Sequence, residues 1–319
     1  MIGRRGVIAT GLAAAVPARA QGTWPDRPIR IIVGYPAGGP SDVFARMVAA
    51  QLGPRLGETV VVENRPGGGA VLASETAARA SADGLTLLHV DNGILVYNPA
   101  LYARLPYDPD RDFAGVGFIG SFPLYIVCRA DAVWGDFPAL VAASRSRAPT
   151  YGSPAVASPH HLAMELVKRR SGLEAEHVPY RGGQAAMQDL LAGSVDLVMI
   201  DTATGLPFIR DGQVRALAVL TAARTAEAPA VPTMREIGHD AVAFGWQGLS
   251  VPAGVAPDIV SRLNAELVRA TASEELRQRT TALGIQTNGW SATEFDAFVA
   301  AENAIWRPLI RELGIRLDA

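Results

Sequence analysis

Five loops of small and polar residues are the part of this sequence best suited to chemistry. They span residues 36–42, 64–69, 153–158, 180–183 and 201–205. Each follows a predicted strand and precedes a predicted helix. Glycines let a ligand oxygen approach the backbone, and Ser41, Ser153, Ser158 and Thr202 add hydroxyl groups. The helix after each loop begins with unpaired N–H groups and a partial positive charge, so such loops are suited to holding an anion.

Small residues also make ordinary tight turns, and that explanation serves any one of these loops equally well. The five loops, however, share one topology. Strands that alternate with helices of about ten residues indicate βαβ units and mostly parallel sheets. In such sheets the loops that follow the strands meet at one edge, where ligands bind. The sequence therefore favours an anion-binding cleft that needs few basic side chains.

Signatures of the common enzyme classes are absent or stand in the wrong context. Residues 115–120 have the G-x-G-x-x-G spacing of a dinucleotide-binding loop, but another strand follows them instead of a helix. His160 and His161 are adjacent on a predicted helix and point about 100° apart. We therefore expect one to face the cleft and one to face solvent, and they cannot readily ligate one metal ion. The sequence predicts a binding protein, not an enzyme, with no cofactor and no metal.

The composition indicates a globular chain with no affinity for nucleic acid. The chain has 319 residues, of which 49% are hydrophobic and 19% charged, with a formal net charge of −2. That balance is too apolar for disorder, and the charge gives no reason to expect a polyanionic partner. Cys128 is the single cysteine, so no intrachain disulfide can form. It stands in an apolar run, where we expect it to be buried.

The N-terminus resembles an export signal. Arg4 and Arg5 precede a short apolar stretch, and residues 18–20 fit the rule that small residues flank a cleavage site. The stretch is too short to anchor the chain in a bilayer. We therefore expect residues 1–20 to be a signal peptide cleaved near Ala20, and the mature chain to be periplasmic. Both general secretion and twin-arginine export fit these residues.

The element pattern predicts an α/β chain of two lobes. Predicted strands cover residues 29–33, 59–63, 85–90, 124–129, 150–153, 176–180, 195–201, 214–220 and 245–251. The C-terminal tail is helical and must pack on another part of the chain, for which the N-terminal sheet is the simplest choice. Lobe 1 would then be discontinuous, with residues 24–121 plus 231–319, and lobe 2 would be residues 122–230. The expected hinges lie at residues 120–123 and 248–251.

Three sequence blocks identify a family resemblance. They are WPDRPIR at residues 24–30, PAGGPSD at 36–42 and VENRPG at 62–67. Together with shorter matches at 178–182, 231–233 and 246–254, they closely resemble the substrate-binding proteins of tripartite tricarboxylate transporters, the TctC or Bug family. The similarity follows the whole mature chain in order.

The resemblance implies a type II-like Venus flytrap, in which each lobe is a mostly parallel sheet flanked by helices. Family members bind small carboxylates, including dicarboxylates, citrate-like acids, acidic amino acids and aromatic acids. The loop positions and the resemblance together predict the ligand-binding residues. These are Tyr35, Pro36, Ala37, Gly38, Gly39, Ser41, Asp42, Asn64, Asn92, Ser153, Ser158, His161, Tyr180, Arg181, Gly182 and Asp201.

Two features set this chain apart or leave a role open. Where the family has glycines, the loop at residues 153–159 carries two prolines and two alanines, so the distal half of the pocket would have its own shape. Asp42 would be repelled by a ligand carboxylate. It would therefore cap its helix or hold the loop, or else bind the amino group of an amino-acid ligand.

The predicted function is capture of a small carboxylate between two lobes and delivery to a membrane transporter. The expected partners are the ligand and the transporter's membrane subunits, with no nucleic acid, and the protein is expected to be a monomer. The alternative is that the same binding module serves a periplasmic sensor. Neighbouring genes for membrane subunits or for a sensor kinase would separate these two functions.

Overall fold

The computed structural model describes residues 24–317, so the predicted signal peptide lies outside the described residues. The strands are β1 (Ile29–Val33), β2 (Val60–Asn64), β3 (Thr86–Asp91), β4 (Phe113–Arg129), β5 (Thr150–Ser153), β6 (Glu176–Pro179), β7 (Leu197–Asp201), β8 (Val214–Val219) and β9 (Phe244–Pro252). The helices are α1 (Pro40–Leu56), α2 (Val71–Ala78), α3 (Asn98–Leu101), α4 (Phe137–Ser144), α5 (Pro159–Ser171), α6 (Gly183–Ala192), α7 (Thr202–Arg210), α8 (Pro257–Thr271), α9 (Glu274–Ala282) and α10 (Ala292–Leu313). No helix in this part of the chain is long and apolar enough to cross a membrane.

Two mixed sheets share the long strand β4. The first sheet has the order β2-β1-β3-β9-β4, in which β1, β2 and β3 are parallel and β9 is antiparallel to its neighbours. The second has β7, β5 and β6 in parallel, while β7 and β8 both pair antiparallel with β4. The predicted α/β class is confirmed, and five of the six parallel strands precede the five loops of small and polar residues; these strands are β1, β2, β5, β6 and β7. The sheets are mixed because β9 runs antiparallel to its neighbours in the first sheet and β4 runs antiparallel to its neighbours in the second. The chain passes between the sheets within β4 and again just before β9, and we call these two the crossover strands.

The exchange of pairing partners marks where β4 passes from one sheet to the other. Residues from Phe113 to Pro123 pair with β9, and residues from Leu124 onward pair with β7 and β8. Strand β9 begins at Phe244, opposite Pro123. The expectation of a hinge at residues 248–251 is therefore wrong, because those residues lie inside the first sheet and pair with both β3 and β4.

The glycines of residues 115–120 allow α8, α10 and the segment after α9 to approach β4 closely. A Cβ atom at Gly115 would lie 2.2 Å from Asp296 Oδ1, one at Gly117 would lie 2.9 Å from Asn264 Nδ2, and one at Gly120 would lie 2.7 Å from Ile285 Cγ2. The glycine spacing that resembles a nucleotide loop thus lies within a strand. It serves packing between the sheet and the C-terminal helices.

The helical tail packs on the first sheet, as expected, and also reaches the second. Trp306 and Ile310 of α10 share one buried apolar cluster with Leu162 of α5.

Cys128 is buried in β4, and this burial raises its pKa to about 11.

Polar residues near predicted helix starts form caps in some places and not in others. Ser291 and Glu294 form a capping box at the start of α10, whereas Thr233 and Glu236, at the same spacing, close only a turn. A π-helical segment at Asn92–Tyr97 and α3 after it were not predicted. The expectation that Asp42 caps α1 is wrong, because the helix begins at Pro40 with Gly39 at its N-cap.

Candidate functional site

The loop between β1 and α1 presents an open helix N-terminus. Gly39 provides no side-chain cap for α1, and Pro40 at the first position has no N–H. Ser41 is 8% exposed, and its hydroxyl has no hydrogen-bond partner within residues 24–317. The first turn of α1 therefore keeps donors that a ligand oxygen could use.

Asp42 holds this loop in shape. Its carboxylate accepts hydrogen bonds from Arg46 Nε at 3.0 Å, from the Gly38 N–H at 2.9 Å and from Asn64 Nδ2 at 2.9 Å. The bond from Arg46 is the largest cause that lowers the pKa of Asp42 to about 2, against the opposing effect of burial. Asn64 also donates to the Tyr35 carbonyl at 3.1 Å. Of the two expected roles of Asp42, the geometry matches the shaping of the loop, because the carboxylate is already fully hydrogen-bonded.

The end of β3 lies beside this loop but is tied to the crossover strand. Asn92 accepts from the Trp246 N–H at 2.9 Å and donates to the Phe244 carbonyl at 3.4 Å. Asp91 caps the π-helical segment through the Ile94 N–H at 2.9 Å. Burial, and next the charge of Asp91, raise the pKa of Tyr35 well above its usual value. The amide of Asn92 is thus engaged by β9, so the contribution of Asn92 is to fix this edge of the cleft.

The second sheet contributes three helix N-termini, of which one is open. Ser158 caps α5 by accepting from the His161 N–H, and Asp201 caps α7 by accepting from the Thr204 N–H. Gly182 precedes α6 without a side-chain cap, and its φ of 113° requires glycine. Helices α1 and α6 therefore offer unpaired N–H groups from opposite sheets.

Two neighbours of Gly182 differ in their availability. The Tyr180 hydroxyl donates to Asp189 at 2.7 Å, so it is directed toward α6. Arg181 is exposed, and its side chain makes no ion pair with any other described residue. Arg46, by contrast, is held by Asp42 at 3.0 Å. Arg181 is thus the predicted site residue that brings a free positive charge.

His161 supports the loop of residues 153–158 from inside the lobe. Its Nδ1 accepts from the Ala157 N–H at 2.9 Å, and its ring stacks on His177 with centroids 3.8 Å apart. His177 Nε2 lies 2.8 Å from Ser153 Oγ. Burial, and next the neighbouring His177, lower the pKa of His161 to about 4. His161 is therefore neutral and shapes the loop, and the role of His177 had no signal in the sequence.

His160 lies beside the predicted site residue Asp201, a contact that the sequence did not indicate. Its Nε2 lies 3.3 Å from Asp201 Oδ2, and its ring stacks on Phe122 of β4 with centroids 6.3 Å apart. Burial raises the pKa of Asp201, but the hydrogen bond and charge of His160 and the bonds from Thr204 outweigh it and lower that pKa. His160 and His161 are both buried, at 7% and 6% exposed, so the expectation that one faces solvent is wrong.

The predicted residues thus form two groups. Tyr35, Asp42 and Asn64 are joined by hydrogen bonds at the first sheet, and Ser153, Ser158 and His161 are joined with the residues around them at the second. Across residues 24–317, no hydrogen bond or ion pair links one group to the other. In the same part of the chain, no cluster of three or more His, Cys, Asp or Glu side chains could hold a metal ion.

Comparison with known proteins places this geometry among binding proteins. The sequence model described as the tripartite tricarboxylate transporter family receptor matches residues 44–315. The protein BugT of Bordetella pertussis is 34% identical over 315 residues, covering 98% of this chain and 96% of BugT.

Two solved structures share the fold and hold carboxylates. R. palustris Rpa4515 with adipate is 30% identical, with a TM-score of 0.79 over 92% of this chain and 99% of that chain. MatC of Rhodopseudomonas palustris with bound malate is 28% identical, with a TM-score of 0.76 over 90% of this chain and 100% of that chain.

Proposed function

Since the chain belongs to the tripartite tricarboxylate transporter receptor family, we propose that it captures a small organic carboxylate between its two sheets. The family consists of solute-binding proteins, and the chain has their α/β periplasmic binding protein fold. The observation that carries the proposal is the pair of open helix N-termini. Helix α1 with Ser41 lies on one side, and helix α6 with Gly182 and Arg181 lies on the other.

This arrangement suits a ligand with a carboxylate at one or both ends. A carboxylate oxygen gains from backbone N–H groups at a helix N-terminus without needing a paired cation. The two groups of loops come from different sheets, so a ligand with two acidic ends could bridge them. Adipate and malate, which the two similar structures hold, are both of this kind.

The lobes are proposed as residues 24–121 plus 231–319 and residues 122–230. The exchange of pairing partners near Pro123 supports the first boundary. After residue 231 the chain still bonds to Val219 and Leu220 at the end of β8, and it enters the first sheet only where β9 starts at Phe244. Two crossover strands form a hinge about which the lobes would close over the ligand. Delivery of the ligand to a membrane transporter, and a periplasmic location, complete the proposal and rest on the family.

A thermal-shift screen tests the proposal. Small organic acids should raise the midpoint of unfolding, because a ligand at 100 times its Kd adds about 2.7 kcal/mol of stability. Neutral sugars serve as the control and should have no effect. A screen in which sugars stabilise the protein and every acid fails would refute carboxylate capture. Native mass spectrometry of freshly purified protein would identify a retained acid.

A further inference from the structure

A second cavity lies on the other side of the crossover strands from His160 and Asp201. Its volume is about 340 Å³, and Ser121 and Pro123 of β4 form part of its floor. Successive side chains of a strand point to opposite faces, so these two residues face away from Phe122, whose ring stacks on His160. The pairing register shifts between Phe118 and Gly120, and this brings Phe118 to the cavity face. We refer to this space as the rear cavity.

The walls of the rear cavity come from the two proposed lobes. One wall is residues 221–224, which follow β8 of the second sheet. The other contains Gln286, Asn288 and Trp290, and it is fixed to the first sheet by two backbone hydrogen bonds of 2.8 Å between Ser121 and Gln286. The floor is formed by the crossover strands themselves. The shape of the rear cavity must therefore change whenever the lobes rotate about those strands.

The lining of the rear cavity is aromatic, hydrogen-bonding and electrically neutral. Phe118 and Trp290 lie with ring centroids 4.7 Å apart. The side-chain amides of Gln286 and Asn288 make no hydrogen bond to any described residue, so their donors and acceptors are available. Arg224 is paired with Glu236 at 2.9 Å and adds no net charge.

We propose that the rear cavity is a binding site for a small neutral aromatic molecule that carries a hydrogen-bonding group. Its volume lies within the usual range for small-molecule sites, which combine apolar walls with a few polar groups. Phe118 is buried behind Trp290, so the partly exposed Trp290 ring would stack on the ligand, and the two amides would orient it. The ligand chemistry differs from that of the front cleft, where open helix N-termini favour anions.

Binding in the rear cavity should also change the affinity of the front cleft. A molecule that fits one lobe arrangement better than the other shifts the equilibrium between them, and the effect between two sites is reciprocal. This coupling rests on the proposed closure of the lobes, whereas rear-cavity binding does not. Coupling of a typical size would change carboxylate affinity by about 5-fold or more.

Benzamide is a suitable probe, and calorimetry is the measurement. Ala222 lines the rear cavity and is exposed, so Ala222→Trp should fill it and weaken benzamide binding at least about tenfold. The matched control is Ala226→Trp, because Ala226 is exposed in the same loop but does not line the cavity. Asn288→Leu, which removes one amide, should weaken binding by about 3-fold to 10-fold. It decides the matter alone if Ala222→Trp does not fold.

The outcomes separate the two proposals. Saturable benzamide binding that Ala222→Trp or Asn288→Leu weakens and Ala226→Trp leaves intact supports the rear site. Absence of saturable binding to the unmodified protein, or equal binding to all variants, overturns it. The thermal response to carboxylates is recorded on the same samples. If carboxylates raise the unfolding midpoint of the unmodified protein but benzamide does not bind, the rear site alone is refuted. If no carboxylate raises that midpoint, carboxylate capture is refuted.

Discussion

The stacked pair of His161 and His177 should make the protein sensitive to mild acid. Burial lowers the pKa of His161 from 6.5 to about 4 in the folded protein, with a further contribution from His177. Lys168 also lowers this pKa, and Glu165 opposes the shift. The unfolded chain takes up a proton below pH 6.5 that the folded chain does not. The free energy of unfolding should therefore decrease as the pH falls from about 6.5 to about 4.

The magnitude follows from the shift. One pKa unit corresponds to about 1.4 kcal/mol, so a decrease from 6.5 to about 4 corresponds to about 3 kcal/mol. Below pH 4 the folded protein is protonated as well, and this contribution stops growing. Protonation of Nδ1 would also abolish the hydrogen bond from the Ala157 N–H, so the loop of residues 153–158 should be released at that pH.

His161→Asn isolates this effect. The Asn side-chain oxygen can accept the Ala157 N–H but does not titrate. Urea unfolding at intervals from pH 7 to pH 4 should show that the variant loses about 3 kcal/mol less stability than the unmodified protein. His239→Asn is the control, since His239 lies outside the stacked pair. Parallel pH profiles for His161→Asn and the unmodified protein would refute the reasoning.

Three further predictions concern the first loop and the C-terminal helix. Asp42→Asn should lower the free energy of unfolding at pH 7 by about 2 kcal/mol, because hydrogen bonds to the carboxylate hold its pKa at about 2. It should weaken the binding of amino acids and of plain dicarboxylates equally. Calorimetry that shows weaker binding of amino acids alone would restore the amine-binding role. Ser41→Ala should weaken carboxylate binding by about 1.5–3 kcal/mol. Gly39→Val should abolish this binding and leave the unfolding midpoint of the ligand-free protein unchanged. An unchanged carboxylate affinity in Gly39→Val would show that the loop at residues 36–42 does not hold the ligand. Burial raises the pKa of Glu302 to about 7, so ionisation of this carboxyl destabilises the fold as the pH rises from 4.5 through 7. Glu302→Gln should therefore raise the free energy of unfolding at pH 8 by about 1–3 kcal/mol and leave it unchanged at pH 4. Urea titration at the two pH values measures both.

Local signals in the sequence were sufficient for much of the fold. Alternating strands and helices predicted the α/β class, and the polar side chains of Asp136 and Ser291 cap α4 and α10. These features depend on residues three or four apart, whose spacing is visible in the chain. The positions of the five loops could be predicted for the same reason, since small residues after an apolar run mark the end of a strand. The π-helical segment at Asn92–Tyr97 was not predicted. Asp91, Asn92 and Gly93 mark the end of β3, but the four apolar residues after them are too few to show a helical spacing, and the segment is stabilised by the Asp91 cap.

Only the tertiary structure decided what each site residue does. The sequence placed Asp42, Asn92 and His161 among ligand contacts, but their polar atoms are engaged by Asn64, by Trp246 and by Ala157. Two of those partners are distant in the chain, and strand pairing brings them together. The pairing of β5 with β7 brings His160, at the start of α5, next to Asp201. Residues 115–120 pair with β9 and pack under the C-terminal helices instead of around a nucleotide. The sequence thus determined where the loops lie, whereas the packing of distant strands determined which groups remain free to bind a ligand.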